Sequence, residues 1–108
     1  MSEMSESQPK IKITVLKVFQ PEEVFKENPP MTMINPGPCP INKEGESWIV
    51  EGFDQPDGIC GHAWGSIWPY FMMLKNGGAF PSFYEEPGVA AITCPDGLRP
   101  VLYRVERI

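Results

Sequence analysis

Apolar and polar residues alternate along residues 10–19, the first patterned segment of the chain. Ile11, Ile13 and Val15 alternate with Lys10, Lys12 and Thr14, and this period of two predicts a strand with one buried face. The alternation returns at residues 98–108, where Pro100 favours a strand start or a sheet edge. An apolar run at residues 88–94 precedes it, and a Pro-Asp-Gly turn separates the two segments. These two C-terminal segments therefore predict a β-hairpin.

Two helices and one more strand are predicted between these ends. Pro21 and two glutamates favour a helix start, and the Asn-Pro-Pro sequence at residues 28–30 ends that helix after about two turns. Residues 47–52 read as a strand. A longer helix begins at Trp64 and stops at the Asn-Gly-Gly sequence that follows Lys75. Its apolar face consists of Trp64, Ile67, Trp68, Phe71, Leu74 and Lys75.

Pro69 interrupts the longer helical pattern and leaves two interpretations open. Either one helix bends there, or a short turn ends and a second helix begins near Pro69. In both cases the element order is β-α-β-α-β-β, which predicts an α+β domain with a mostly antiparallel four-stranded sheet and two helices on one face. We expect a single domain over residues 10–108, with residues 1–9 as a flexible tail. Residues 29–42 are rich in proline and predict a long loop.

Composition narrows the classes of partner. The formal net charge is −5, and the nine basic residues are scattered along the chain. Because nucleic acids and anionic membrane surfaces attract clustered lysine and arginine, neither partner is expected. No apolar stretch is long enough to span a bilayer, and the polar N-terminus lacks the features of a signal peptide. Three widely spaced cysteines fit a reducing compartment better than a disulfide framework, which predicts a cytoplasmic protein.

The C-terminal sequence "CPDGLRPVLYRVERI" is the most distinctive stretch of the chain. Together with "GICGHAW", "KNGGAFP" and "KEGESWIVEG", it resembles a family of short uncharacterised proteins of about this length. The motif C-P-D-G-x-R-P-V, from Cys94 to Val101, is the most specific part of that resemblance. The resemblance as a whole extends from about Lys10 to Ile108. It supports the predicted fold but implies no reaction or cofactor.

The cysteines and the single histidine form the main chemical hypothesis. Cys39, Cys60 and Cys94 lie in or beside turns, and His62 supplies a fourth ligand of the type that zinc or iron binds. Cys60 and His62 chelate together only if the helix begins after His62, because residues two apart diverge on a helix. In the alternative interpretation, the three cysteines pack as small hydrophobic side chains.

A second hypothesis makes Cys60 a reactive thiol. It lies just before the predicted helix, where free backbone amides favour the thiolate, and His62 or Asp96 serves as its proton-transfer partner. A third candidate is Asp96 with Arg99, whose planar guanidinium either pairs with Asp96 or binds a carboxylate ligand. The alternative for Asp96 is an ordinary turn residue whose carboxylate holds nearby amides.

The aromatic residues divide between the core and a loop. Periodicity places most of Trp48, Phe53, Trp64, Trp68, Tyr70 and Phe71 in the core. Phe80, Phe83 and Tyr84 fall in a loop between prolines, where exposed rings line a pocket or an oligomer interface. We therefore expect a small cytoplasmic domain that binds a metal ion or a small ligand near its cysteines. The alternatives are a cysteine-dependent enzyme, an interaction subunit of a larger complex, and self-association as a homo-oligomer.

Overall fold

A computed structural model describes residues 9–108 and contains one antiparallel sheet with strand order β2-β1-β4-β3. The strands are β1 (Ile11–Val18), β2 (Ser47–Val50), β3 (Val89–Thr93) and β4 (Val101–Arg107), and the helices are α1 (Pro21–Val24) and α2 (Gly61–Lys75). The predicted α+β class and element order are confirmed. The predicted tail lies outside the described residues except for Pro9.

The central pair of the sheet joins β1 to β4, and its alternation builds the core. Ile13 lies opposite Val105 and Val15 opposite Tyr103, so their buried side chains share one face of the sheet. Helix α2 packs on this face. The buried hydrophobic cluster comprises Ile11, Ile13, Val15, Val50, Ile59, Ala63, Ile67, Phe71, Leu74, Ala90, Val101, Tyr103 and Val105. The period of two in the sequence thus predicted the buried face of both central strands.

Helix α2 begins earlier than the apolar pattern indicated. Cys60 is its N-cap residue, with extended backbone angles, and its carbonyl accepts the Trp64 N–H at 2.9 Å. The helix then continues through Pro69 as one element, so no second helix starts there. Gly65, whose carbonyl loses its helical partner because proline has no N–H, is exposed together with Pro69. Water can therefore satisfy that carbonyl, which allows the helix to continue.

Helix α1 is a single turn rather than two, and β2 ends two residues before the predicted end. Phe25 already has extended backbone angles, and Asn28 has a φ of 54° in the left-handed region, so the helix cannot continue. Residues 29–42 form no regular element, as their prolines predicted.

Most aromatic side chains lie outside the core, contrary to the sequence expectation. Among the described aromatic residues, Phe71 and Tyr103 are fully buried, whereas Phe53, Trp68, Tyr70 and Phe83 are exposed. The rings of Trp68 and Phe71 stack with centroids 5.7 Å apart, so the helix uses part of its aromatic content to cover the core from outside. Helical spacing alone could not separate the layer that fills the core from the layer that covers it.

The C-terminal end of α2 is held by two cationic side chains, which we call the cation end (Lys75 and Arg107). Lys75 is 2% exposed, and its Nζ donates to the carbonyl of Pro9 at 2.7 Å and to the carbonyl of Glu51. Arg107 Nη1 donates to the carbonyls of Leu74 (2.9 Å) and Gly78 (2.7 Å). Positive charge is favourable at this end of a helix, where carbonyls lack helical partners.

Candidate functional site

Asn42 is the polar centre of the opposite end of α2. Its side chain is 1% exposed, although it lies in a loop. Asn42 Oδ1 accepts the Cys60 N–H at 3.0 Å and the Tyr103 hydroxyl at 2.9 Å, and Asn42 Nδ2 donates to the Gly58 carbonyl at 2.8 Å. One amide therefore joins the proline-rich loop, the helix start and the centre of β4.

Tyr103 is fully buried beside Asn42, whose Oδ1 also accepts the Cys60 N–H. Burial raises the pKa of Tyr103 well above its ordinary value, and negative charge on the ionised forms of Cys60, Cys94 and Cys39 and on the Glu46 carboxylate adds to this increase. Each thiol is half-buried and free of disulfides, and each packs against the same hydrophobic cluster. We call this region the thiol end (Cys39, Asn42, Cys60, Cys94 and Tyr103).

The three thiols have different local surroundings. Cys94 Sγ accepts the Val101 N–H at 3.3 Å, so this sulfur takes part in the start of the β-hairpin. Cys60 occupies the N-cap position, where its side chain makes no capping hydrogen bond. Cys39 lines an open groove of about 510 Å³. The residues lining this groove are Val18, Gln20, Pro38, Cys39, Pro40, Asn42, Lys43 and Glu44.

His62 does not join Cys60 as the chelation hypothesis required. The helix begins at Gly61, so His62 lies in its first turn, and its side chain is exposed. Within residues 9–108, no group of three or more His, Cys, Asp or Glu side chains is placed to hold a metal ion. The four predicted ligands, Cys39, Cys60, His62 and Cys94, therefore do not form such a group. Cys60 as a reactive thiol with His62 as its base stays a prediction.

Asp96 and Arg99 meet as predicted, but both have partners within the chain. Asp96 Oδ1 accepts the N–H groups of Leu98 (3.0 Å) and Arg99 (3.2 Å), and Asp96 Oδ2 lies 3.4 Å from Arg99 Nε. Burial opposes ionisation here, but these hydrogen bonds and the guanidinium charge outweigh it and lower the pKa of Asp96. This is the turn-forming role of aspartate.

Arg99 also fixes the proline-rich loop. Its Nη1 donates to the carbonyls of Asn35 (3.0 Å) and Gly37 (3.1 Å), just before Cys39. A guanidinium with several internal acceptors is suited to shaping the groove beside it. Binding of a carboxylate ligand by Arg99 stays a prediction.

Sequence reasoning missed Asn42 and Tyr103. Asn42 follows Ile41 at the end of the proline-rich segment, where asparagine reads as a loop residue, and the alternation around Tyr103 indicated only that one face is buried. Their hydrogen bond joins positions 61 residues apart. No local pattern could have shown that pairing.

Comparison of the chain with protein-family profiles, with curated proteins and with solved structures found no match. The resemblance carried by the C-P-D-G-x-R-P-V motif therefore stays a prediction. Among residues 9–108, no helix has the length and apolar character needed to cross a bilayer.

Proposed function

We propose that the protein binds a small organic molecule in the groove beside Cys39. The observation that carries this proposal is the groove itself. Its volume of about 510 Å³ falls in the range of small-molecule sites, and one of the three cysteines lies in its wall. It also adjoins the buried Asn42 that organises the thiol end.

The lining of the groove indicates the chemistry of the ligand. Val18, Pro38 and Pro40 give apolar walls, and a few polar groups accompany them. Glu44 is already engaged, because its Oε1 accepts the Val18 N–H at 3.1 Å. Lys43 contributes a positive charge at an exposed position. The groove therefore suits a molecule with an apolar body and an acidic or hydrogen-bond-accepting group.

The loop that forms the groove is held in place before any ligand arrives. Arg99 binds the carbonyls of Asn35 and Gly37 on one side of Cys39, and Asn42 anchors the chain on the other side. Proline residues restrict the backbone further. A wall that is already ordered loses less conformational entropy on binding, which favours affinity.

Disulfide tethering tests the proposal at Cys39. A Cys60→Ser/Cys94→Ser variant keeps Cys39 as the sole thiol, and a library of disulfide-bearing fragments is equilibrated with it under partly reducing conditions. We expect intact-protein mass spectrometry to show selection of a few fragments with apolar bodies and acidic groups. Lys43→Ala should lower capture of the acidic fragments several-fold and leave their neutral analogues unchanged.

The control is the matched variant that keeps only Cys94, because this thiol is hydrogen-bonded to the Val101 N–H and does not line the groove. Uniform, unselective capture at Cys39, equal to capture by the protein unfolded in urea, contradicts a binding site there. Selection at Cys94 and not at Cys39 also contradicts the proposal.

A further inference from the structure

Strand β3 forms an edge of the sheet, and the strand itself carries neither of the residue types, charged residues and proline, that often protect such an edge. The strand order is β2-β1-β4-β3, so one side of β3 has no neighbouring strand. Its sequence, VAAIT, contains no charged residue and no proline. Exposed edges without charge or proline are sites where another strand can pair.

The hydrogen bonds of β3 show which backbone groups face outward. The Arg107 N–H donates to the Gly88 carbonyl at 2.8 Å, and the Cys94 N–H donates to the Val101 carbonyl at 3.1 Å. Because bonded positions alternate along antiparallel strands, the backbone groups of the odd-numbered residues between them point to the free edge. These residues are Val89, Ala91 and Thr93.

Tyr84 occupies one of these outward groups. Its hydroxyl accepts the Ala91 N–H at 3.1 Å. This contact confirms the outward direction of that amide and satisfies it while the edge is free. A neighbouring strand that supplies a carbonyl to Ala91 must displace the tyrosine hydroxyl.

A trough runs beside the free edge, between β3 and α2, and its smaller part, next to Phe80, Phe83 and Tyr84, is apolar, whereas its larger part, next to Ser66 and Thr93, is more polar. It consists of two cavities of about 190 and 380 Å³ that share three lining residues, Tyr70, Ala91 and Ile92. The other lining residues are Ser66, Phe80, Phe83, Tyr84, Ala90 and Thr93. Phe83 is 78% exposed, so a large apolar surface at this trough meets solvent. A strand edge beside a helix-lined trough can bind an extended peptide, whose backbone pairs while alternate side chains fill the pocket.

Charge near the trough distinguishes a second copy of the chain from a segment of another protein as the binding partner. None of the described residues that line the trough is basic, and Glu85 and Glu86, both exposed, directly follow Tyr84. A second copy of the chain would carry the same acidic pair and the same formal net charge of −5, so it offers no complementary charge at this edge. A segment with a lysine or arginine next to its apolar residues would be attracted instead.

We infer that the free edge of β3 binds an extended apolar segment of another protein that carries basic residues beside its apolar stretch. The segment pairs with Val89, Ala91 and Thr93, places apolar side chains against Phe83 and Tyr70, and directs its basic residues to Glu85 and Glu86. This site is separate from the groove at Cys39, so either proposal can fail without the other.

The test uses a fluorescent peptide that alternates valine and threonine and ends in two arginines. Its control is the same peptide ending in two glutamates. We expect saturable binding of the arginine peptide by fluorescence anisotropy, with amide shifts at Val89, Ala91 and Thr93 in ¹⁵N NMR spectra. The glutamate peptide should bind at least roughly fivefold more weakly, as expected for two exposed charge pairs.

Three variants distinguish pairing at the strand edge from nonspecific hydrophobic binding. Ala91→Pro removes an outward N–H that is not part of the β3–β4 pairing, so it should abolish binding and keep the fold. Phe83→Ser should weaken binding without any backbone change. Tyr84→Phe leaves the Ala91 N–H unoccupied and should tighten binding by about fivefold, the value of one modest hydrogen bond.

Equal binding of the two peptides, or binding that survives Ala91→Pro and Phe83→Ser, overturns the inference. So does a concentration-dependent dimer that Ala91→Pro dissociates, because that result assigns the edge to self-association. The binding result for Ala91→Pro is interpreted only if the NMR spectrum of this variant outside β3 matches that of the unchanged protein, which shows that the fold is kept. If the spectrum does not match, the inference is judged from the Phe83→Ser variant and from the comparison of the arginine peptide with the glutamate peptide.

Discussion

The two ends of helix α2 are stabilised by different chemistry. At the cation end, Lys75 and Arg107 donate to four backbone carbonyls from three different parts of the chain. At the thiol end, the interactions are those of a neutral amide, a phenol and free thiols around Asn42 and Tyr103. One end uses cationic side chains to hold the chain together, whereas the other relies mainly on neutral groups, with the exposed Glu46 carboxylate accepting from the Asn42 amide at 3.4 Å.

The difference indicates which end is built for stability. Cations complement the carbonyls at a helix C-terminus, so the cation end follows the favourable pattern. The helix start does not, because Cys60 at the N-cap makes no side-chain hydrogen bond where serine, threonine or asparagine would. The thiol end also contains the 510 Å³ groove. The binding that we propose at this groove would account for that composition.

The largest effect on stability is expected from Asn42→Ala, which tests the role of Asn42 at the thiol end. The change leaves the Tyr103 hydroxyl and the Cys60 N–H without their acceptor in a buried place, which should lower the free energy of unfolding by about 2–4 kcal/mol. Chemical denaturation with tryptophan fluorescence measures it. Asn76→Ala is the matched control, since the Asn76 amide bonds the Met72 carbonyl at an exposed site and should cost less than about 1 kcal/mol. Equal losses in the two variants would contradict the central role of Asn42.

Lys75→Met tests the cation end. The carbonyls of Pro9 and Glu51 lose a charged donor in a part-buried place, and we expect the free energy of unfolding to fall by about 2 kcal/mol near neutral pH. Lys10→Met is the control, because Lys10 makes only an exposed ion pair with Glu51, at 3.6 Å, and should change stability by less than about 1 kcal/mol.

The pH dependence of the unchanged protein provides a second measure of Lys75. Burial lowers the pKa of Lys75, although the nearby Glu51 carboxylate acts in the opposite direction. The unfolded chain therefore keeps this proton to higher pH than the folded chain. The free energy of unfolding should rise with pH from the lowered pKa up to the ordinary value of 10.5, and Lys75→Met should lack this contribution. An identical alkaline profile in the variant would contradict a buried, protonated Lys75.

The sequence predicted the strands and the long helix because those signals are local. Alternation marked β1 and β4, and the helical spacing correctly placed Lys75 on the buried face of α2. The exposure of Trp68 on that same pattern depends on what packs against the helix, which spacing does not encode. The start of α2 at Gly61 was missed because Cys60 is not a common N-cap residue.

Only part of the candidate site could be predicted from the sequence. All three cysteines pack against the one hydrophobic cluster, but the buried polar residues there are Asn42 and Tyr103 rather than His62. Asp96 and Arg99 were recognised as a pair, but not as supports of the loop beside Cys39. Such roles arise from contacts between distant parts of the chain, so they follow from the fold and not from motifs.

Asp96→Asn examines the loop support at the thiol end. Losing the negative charge weakens the bonds from Leu98 and Arg99, and we expect a loss of about 1 kcal/mol at neutral pH. Because the pKa of Asp96 is lowered in the folded protein, its stabilisation is present above the ordinary value of 3.8 and disappears as pH falls through the lowered value. Asp57→Asn, in the other Pro-Asp-Gly turn, is the control. Acid denaturation curves that differ from the parent by the same amount in both variants would contradict the assignment.

The smallest expected effect comes from Cys60→Ser, and it is a gain. Serine at the N-cap can accept a backbone N–H of the first helical turn, which should raise the free energy of unfolding by about 0.5 kcal/mol. Cys39→Ser, outside any cap position, should give no such gain. A loss of stability at Cys60→Ser would show that the thiol fills apolar space better than a cap would, and would weaken the contrast between the two ends of α2.

The pairing of β1 with β4 has a consequence for how the molecule forms. Residues 19–100 separate the two central strands, so the middle of the sheet closes only after the largest loop in the fold has been ordered. Long-range pairing of this kind slows folding, because loop entropy is lost before the contacts are gained. During synthesis β1 must also wait for residues 101–107 before its main partner exists. The apolar face of β1 stays exposed during that interval, and it is then most accessible to a chaperone.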